Sequence, residues 1–260
     1  MRVIILLMSL SLPVLADLAA GKQAAESGDY ATALEELLPL ARQGNVVAQL
    51  NLGIMYFRGD GVPQDYQKAM QWYRLAAARG VGAAQSNLCM MYAQGLGGPQ
   101  DYKEAARWCR MAADRGVAEA QFELGVMCAR GFGGLQDYQK AVQWFRLSAD
   151  QGNVDAQVSL GRMLVQGLGV TRDYAEAAEW FQSAADQGNA DAQLSLGIMY
   201  AQGKGVPQDY IQAHLWFNLA GGGGNSGGVK NRDVIAHKMT PEQIAEAERL
   251  AREFRPKADR

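Results

Sequence analysis

The sequence predicts an all-α fold, a right-handed α-solenoid of helix–turn–helix repeats, on three observations. Glutamines recur at a step of 36 residues, at Gln49, Gln85, Gln121, Gln157 and Gln193. Tryptophans recur at the same step, at Trp72, Trp108, Trp144, Trp180 and Trp216, and these are the 5 tryptophans of the chain. Between the two registers a Gly-x-Gly pair recurs, from Gly59 and Gly61 to Gly203 and Gly205. A fixed period of this length marks stacked supersecondary units rather than one closed globule. The functional question therefore moves from catalytic residues to exposed surfaces.

Residues 1–16 read as a secretory signal peptide. Arg2 gives a short basic start, Val3 to Leu15 form an almost unbroken apolar run, and Val14-Leu15-Ala16 places small residues before Asp17. The run is too short for a membrane span, and a buried first helix is the alternative. No cysteine follows it, so a lipid anchor is not indicated. The expected location is periplasmic or secreted, with no integral membrane segment after cleavage. Losing Arg2 takes the formal charge from -2 to about -3. A mildly acidic surface of mixed sign argues against nucleic acid or an anionic membrane as partner.

Residues 17–45 read as a capping hairpin with its turn at Glu26-Ser27-Gly28-Asp29-Tyr30. The slot that later holds tryptophan holds Glu36 here, as a cap with one solvent face requires. Five 36-residue repeats span 46–221. In the first, Ala48, Leu52, Gly53 and Tyr56 make one apolar face of a helix, which Gly59 and Gly61 stop. Asp65 is placed to N-cap a second helix, whose buried stripe is Ala69, Trp72, Tyr73, Ala76 and Ala77, and Gly80 ends it. Gly53 returns as Gly125, Gly161 and Gly197, and Ala69 as Ala105, Ala141, Ala177 and Ala213; such small residues let helices approach closely. A hairpin of this kind cannot bury both faces alone, so stability comes mostly from nearest neighbours. Residues 222–228 read as a glycine-rich linker and 229–260 as a C-terminal helical cap and tail. In that tail Thr240-Pro241-Glu242-Gln243 has the form of a capping box with proline at the first helical position.

The motif Ala48, Gln49, Leu52-Gly53, Met55-Tyr56, Gly59-x-Gly61, Asp65-Tyr66, Ala69, Trp72, Ala76-Ala77 and Gly80 resembles the Sel-1-like repeat family, a branch of the tetratricopeptide superfamily. The resemblance covers about Val46 to Ala220. The hairpin before it resembles a tetratricopeptide unit, and the tail resembles the terminal segment of bacterial members. The resemblance implies adaptor roles in assembly, signalling and envelope processes.

No catalytic, cofactor or metal site is expected. Gly224-Asn225-Ser226-Gly227-Gly228 matches the G-x-S-x-G pattern but lacks the strand and the partners a nucleophile elbow needs. The Gly-x-Gly turns have neither a preceding strand nor a Gly-Lys-Ser ending, so they are helix stops rather than phosphate cradles. His214 and His237 lack ligand partners at suitable spacing and read as structural or solvated. The methionine register, Met55, Met91, Met127, Met163 and Met199, and the repeated glutamines read as packing and as ties between adjacent turns.

The cysteines break the repeat rule. Cys89 replaces the close-contact glycine, Cys109 an aromatic residue, and Cys128 a tyrosine. Two large residues shrinking at neighbouring slots of adjacent units in an exported chain predicts a Cys109–Cys128 disulfide; three buried cysteines acting as small hydrophobes are the alternative.

By resemblance, first helices line the concave surface of such stacks, through slots 47, 50, 54, 57 and 58 and their 36-residue equivalents. Occupants of these slots differ among repeats. Leu50, Ile54, Phe57, Met90, Phe122 and Val126 make the early part apolar, Arg58, Arg130 and Arg162 make it basic, and Glu119, Asp155 and Asp191 form an acidic edge. The expectation is a non-catalytic scaffold binding an extended or helical peptide, or a protein, with an acidic group. The alternatives are self-association and β-lactam binding, which the resemblance links to a cysteine-rich branch. This chain lacks that branch's repeated cysteine pairing and has no S-x-x-K motif.

Overall fold

A computed structural model describes residues 12–256. The first eleven residues of the expected signal segment lie outside the described residues, and Leu12 to Ala16 belong to the first helix. The chain is all-α. Fourteen helices follow in order among the described residues: α1 (Leu12–Ser27), α2 (Tyr30–Arg42), α3 (Val46–Arg58), α4 (Tyr66–Ala78), α5 (Gly82–Gln94), α6 (Tyr102–Ala113), α7 (Ala118–Arg130), α8 (Tyr138–Asp150), α9 (Val154–Gln166), α10 (Tyr174–Asp186), α11 (Ala190–Gln202), α12 (Tyr210–Gly222), α13 (Ser226–Ala236) and α14 (Pro241–Glu253). The first pair forms the expected N-terminal hairpin, and the next five pairs are the repeats. The fold class is an α-solenoid of helix–turn–helix repeats. Two compact units divide the chain, one ending at Ala120 and the other beginning at Gln121.

The same local chemistry writes each hairpin. Asn45, Asn153 and Asn189 cap the first helices α3, α9 and α11, their side-chain oxygens accepting from backbone N–H groups of the first turn. Asp65, Asp101, Asp137, Asp173 and Asp209 do this for the second helices. Gly59, Gly95, Gly167 and Gly203 then end first helices in the left-handed conformation, where a Cβ would be strained.

The second glycine of each pair does more than stop a helix. Gly97 has φ 79°, and a Cβ placed on it would lie 2.6 Å from the backbone oxygen of Tyr66, at the start of the preceding repeat's second helix. Gly169 and Gly205 meet Tyr138 and Tyr174 in the same way. The turn of one repeat is thus pressed onto the helix start of the one before it.

Glutamine ties the repeats together. Gln49, Gln85, Gln157 and Gln193 are buried, and each donates from Nε2 to the carbonyl eight residues earlier, on Ala41, Ala77, Ala149 and Ala185 respectively. Those carbonyls lie at the ends of the preceding second helices, where each also accepts the backbone N–H of the glycine three residues on, so the glutamine fills a second acceptor position of each oxygen. Gln187 donates in turn to Gln157 Oε1 at 3.0 Å. A second set, Gln64, Gln100, Gln136 and Gln208, donates seven residues back to Phe57, Ala93, Ala129 and Ala201, fastening the inter-helix loop to the end of the first helix.

In the first unit the core around α1–α3 is Leu37, Leu40, Leu52 and Met55, with Trp72 packed against it. In the second unit Phe145, Leu160, Phe181, Leu196 and Trp216 belong to one apolar cluster. The five methionines of the register are at most 6% exposed, which makes them packing residues.

The chain end departs from a flexible linker over 222–228. The helix α12 runs to Gly222, and α13 begins at Ser226 with Asn225 as its cap. The glycines serve close contact here: a Cβ on Gly228 would lie 2.7 Å from the backbone nitrogen of Gly221. This lets α13 pack against α12. The capping box at Thr240 and Gln243 is formed as expected, with Pro241 at the start of α14. Phe254, just past α14, meets the Trp216 ring edge-on at 5.6 Å and so covers the last repeat.

Candidate functional site

The expected partner surface is built on first helices. In the first unit Leu50, Ile54 and Phe57 lie half-buried along α3, with Arg58 exposed as its last residue. The Phe57 ring is 5.3 Å from that of Tyr66 on α4, so part of its area is used within its own hairpin. Arg58 makes no ion pair among the described residues. Its charge bears on Tyr73, whose phenol burial pushes well up and Arg58 partly pulls back. Met90 is half-buried on α5.

In the second unit Phe122 and Val126 are half-buried on α7 and pack against the apolar cluster, the Phe122 ring standing 5.8 Å from that of Phe145. Arg130 is exposed, its guanidinium 5.8 Å from the centre of the Phe132 ring, and it makes no ion pair among the described residues. Arg162 differs, because its guanidinium holds Asp191 at 2.9 Å. The basic set and the acidic edge thus meet at this one point, and Asn225 also donates to Asp191 at 2.9 Å.

One residue of this surface escaped the sequence reading. Glu123 is half-buried on α7, and burial pushes its carboxyl above the usual range, with Asp155 adding to the effect and Arg130 opposing it. Its slot is held by Asn51, Asn87, Ser159 and Ser195 in the other repeats. That slot varies as the chosen ones do, so comparison among repeats contains the signal.

The cysteine pairing is corrected. The disulfide joins Cys89 to Cys109, with Cα atoms 5.1 Å apart, and not Cys109 to Cys128. Cys128 is half-buried on α7 and packs on the second unit's apolar cluster. The reason is repeat geometry. The close-contact glycine on a first helix faces the aromatic slot of its own second helix, as Gly53 faces Tyr73 and Gly161 faces Phe181. Cys89 and Cys109 fill that facing pair.

Of the histidines, His237 is exposed with Nδ1 2.7 Å from the Asp233 carbonyl oxygen, and His214 is only 2% exposed with Nδ1 unpartnered. No cluster of three potential metal ligands occurs among the described residues. The Ser226 of the G-x-S-x-G pattern is the first residue of α13, with no strand before it. No helix among the described residues is long and apolar enough to cross a membrane.

The sequence profile of the Sel1 repeat matches residues 46–81, 82–117, 118–153, 154–189 and 190–225. Among solved structures, a Sel1 repeat protein from Oxalobacter formigenes is 30% identical over 90% of this chain and 96% of its own, with a TM-score of 0.78. A protective antigen present in uropathogenic Escherichia coli strains, displaying an SLR fold, is 29% identical over 93% of this chain and 68% of its own, with a TM-score of 0.52. No curated protein matches. The five matched segments adjoin without a gap and coincide with the helix pairs α3/α4 to α11/α12, so the chain belongs to the Sel1 repeat family.

Proposed function

We propose that the protein is a non-catalytic scaffold of the cell envelope that holds a peptide or protein partner on the faces of its first helices. The Sel1 repeat fold is commonly a protein-interaction scaffold, which supports the coarse reading. The observation that carries the finer one is at a single slot. Arg58 and Arg130 end the first helices of repeats one and three, both exposed and in no ion pair among the described residues, beside the half-buried Phe57 and Val126. A guanidinium in that state offers a planar fork to an incoming acidic group at little desolvation cost.

The test is affinity capture from an envelope extract, comparing the intact chain with Arg58→Glu plus Arg130→Glu. Loss of a specific captured band, with the circular-dichroism melt unchanged, supports the reading. Equal capture by both chains overturns it. Export rests on the basic start and apolar run of residues 1–16, and a mature N-terminus at Asp17 in the periplasmic fraction is the expected result. Nitrocefin hydrolysis by the purified chain would overturn the non-catalytic assignment.

A further inference from the structure

Two cations that break the repeat rule converge on one cavity in the second unit. The slot of Arg162 holds Ile54, Met90, Val126 and Ile198 in the other repeats. The slot of Lys204 holds Asp60, Leu96, Phe132 and Leu168. Only in the fourth repeat is the first slot cationic, and only in the fifth is the second. Both side chains line a single cavity of about 210 Å³ between α9 and α11, with α10 contributing Tyr174 and Phe181.

The walls are of two kinds. Phe181 and Met199 are 2% and 5% exposed and make an apolar floor, with half-buried Ile198 beside them. Arg162 and Lys204 are exposed at the mouth. Lys204 has its ammonium 5.7 Å from the centre of the Tyr174 ring and makes no ion pair among the described residues. Arg162 already holds a carboxylate, that of Asp191, which shows the group its guanidinium accepts here.

The size selects among occupants. Drug-sized ligands take clefts of about 300–1,000 Å³, so this cavity suits one buried side chain rather than a whole small molecule. An apolar floor under a cationic mouth then calls for an aliphatic side chain next to a carboxylate. We infer that this cavity is an anchor site for an acidic residue flanked by an aliphatic one in the bound partner, with Lys204 and Arg162 holding the carboxylate and Phe181 and Ile198 receiving the aliphatic group. The inference rests on the scaffold reading and deepens it, naming the partner's chemistry where Arg162 of the expected partner surface meets Lys204 of a turn.

The probe is the blocked dipeptide acetyl-Leu-Glu-amide, titrated into the full chain while amide NMR shifts of Ser195, Gln202 and Lys204 are followed. Saturable shifts are expected, with acetyl-Leu-Gln-amide binding several-fold more weakly. Lys204→Gln should weaken the dipeptide by up to about fivefold, the effect of one exposed ion pair. Asp191→Asn should strengthen it, because it frees Arg162 from a competing carboxylate. Equal binding of the glutamine dipeptide overturns the inference, as does the absence of shifts at these amides. Equal shifts with inorganic phosphate reduce the site to general anion attraction and also overturn it. The titration does not involve Arg58 or Arg130. Failure here with arginine-dependent capture intact removes only the anchor, and binding here with capture unaffected by arginine reversal removes only the surface carried by those arginines.

Discussion

Cys89 and Cys109 form their disulfide across the pair of slots where Gly53 lies against the Tyr73 ring. The same facing pair is Gly125 with Phe145, Gly161 with Phe181 and Gly197 with Phe217 in the second unit. In four repeats the helices of a hairpin are held together by a ring filling the space that a missing Cβ leaves. In the second repeat a covalent bond replaces that packing, and both sulfur-bearing residues are at most 1% exposed. One solution needs a large side chain opposite nothing, the other two small ones at bonding distance. Either alone closes the hairpin.

It follows that Cys89→Gly with Cys109→Tyr should fold without a disulfide, because it restores the pair used by the first repeat. Cys89→Ala with Cys109→Ala has neither ring nor bond. The loop closed by the disulfide spans 20 residues, so removing it costs about 3 kcal/mol on the chain-entropy account. Thermal melts with and without reductant check this. The Gly/Tyr chain should be insensitive to reductant and the Ala/Ala chain strongly destabilised. The native chain, denatured without reduction, should titrate as a single thiol.

Gly97 and Gly98 are adjacent and should respond oppositely to alanine. At Gly97 the backbone is left-handed and a Cβ would press on Tyr66 of the preceding repeat; at Gly98 nothing lies within 4 Å and φ is not positive. Gly97→Ala should lose about 2–4 kcal/mol, the left-handed penalty plus the clash. Gly98→Ala should be neutral or gain up to about 1 kcal/mol by restricting the unfolded chain. Urea denaturation of the two variants reads the difference, and similar losses would mean that the turn does not support the neighbouring repeat.

Periodicity made the hairpins legible, because a helix face, its stop and its cap each leave a residue at a fixed step. Gly59, Asp65 and Trp72 could be placed from the sequence for that reason. What repeats could not reveal by themselves was which slot faces which. Cys89 was recognised in the glycine slot and Cys109 in the aromatic slot, yet the pairing follows only when the two helices are seen side by side. Gly221 to Gly228 misled in another way: glycine makes a chain flexible and also lets helices touch, and only the packing of α13 on α12 decides between them. Lys204 was invisible because its slot belongs to the turn rather than to a first helix, and a cavity between repeats joins positions 42 residues apart, Arg162 and Lys204.

Gln157 is expected to be costly to replace despite being neither apolar nor functional. Its amide donates to the Ala149 carbonyl at 3.3 Å, and its oxygen accepts from Gln187 at 3.0 Å. Gln157→Leu keeps the volume but removes both of these bonds, leaving the Ala149 carbonyl with the Gly152 N–H alone, for a cost of about 1–3 kcal/mol over the two. Gln157→Glu should be worse near neutrality, because a buried carboxylate cannot donate to that carbonyl. Equilibrium unfolding of both variants checks the ordering, and a silent leucine variant would show that water replaces the bond.

His214 should give the C-terminal cap an acid sensitivity. Burial holds its imidazole below the ordinary histidine range; Glu248 opposes this, Arg232 reinforces it and Asp233 opposes it. The folded chain thus keeps His214 neutral at a pH where the unfolded chain protonates it. The stability this neutral histidine allows is complete above its unfolded value of about 6.5, and it is lost as pH falls from there toward the folded value. Melting temperature should therefore decline between about pH 7.5 and pH 5.5, above the range where ordinary carboxylates titrate. His214→Phe should flatten that decline, since Nδ1 gives up no hydrogen bond in the exchange. His237→Gln, at an exposed ring, should leave the slope as it was. An unchanged slope in the His214 variant would locate the proton uptake elsewhere, with half-buried Glu123 excluded as its source, because a raised carboxyl pKa makes stability rise rather than fall on acidification.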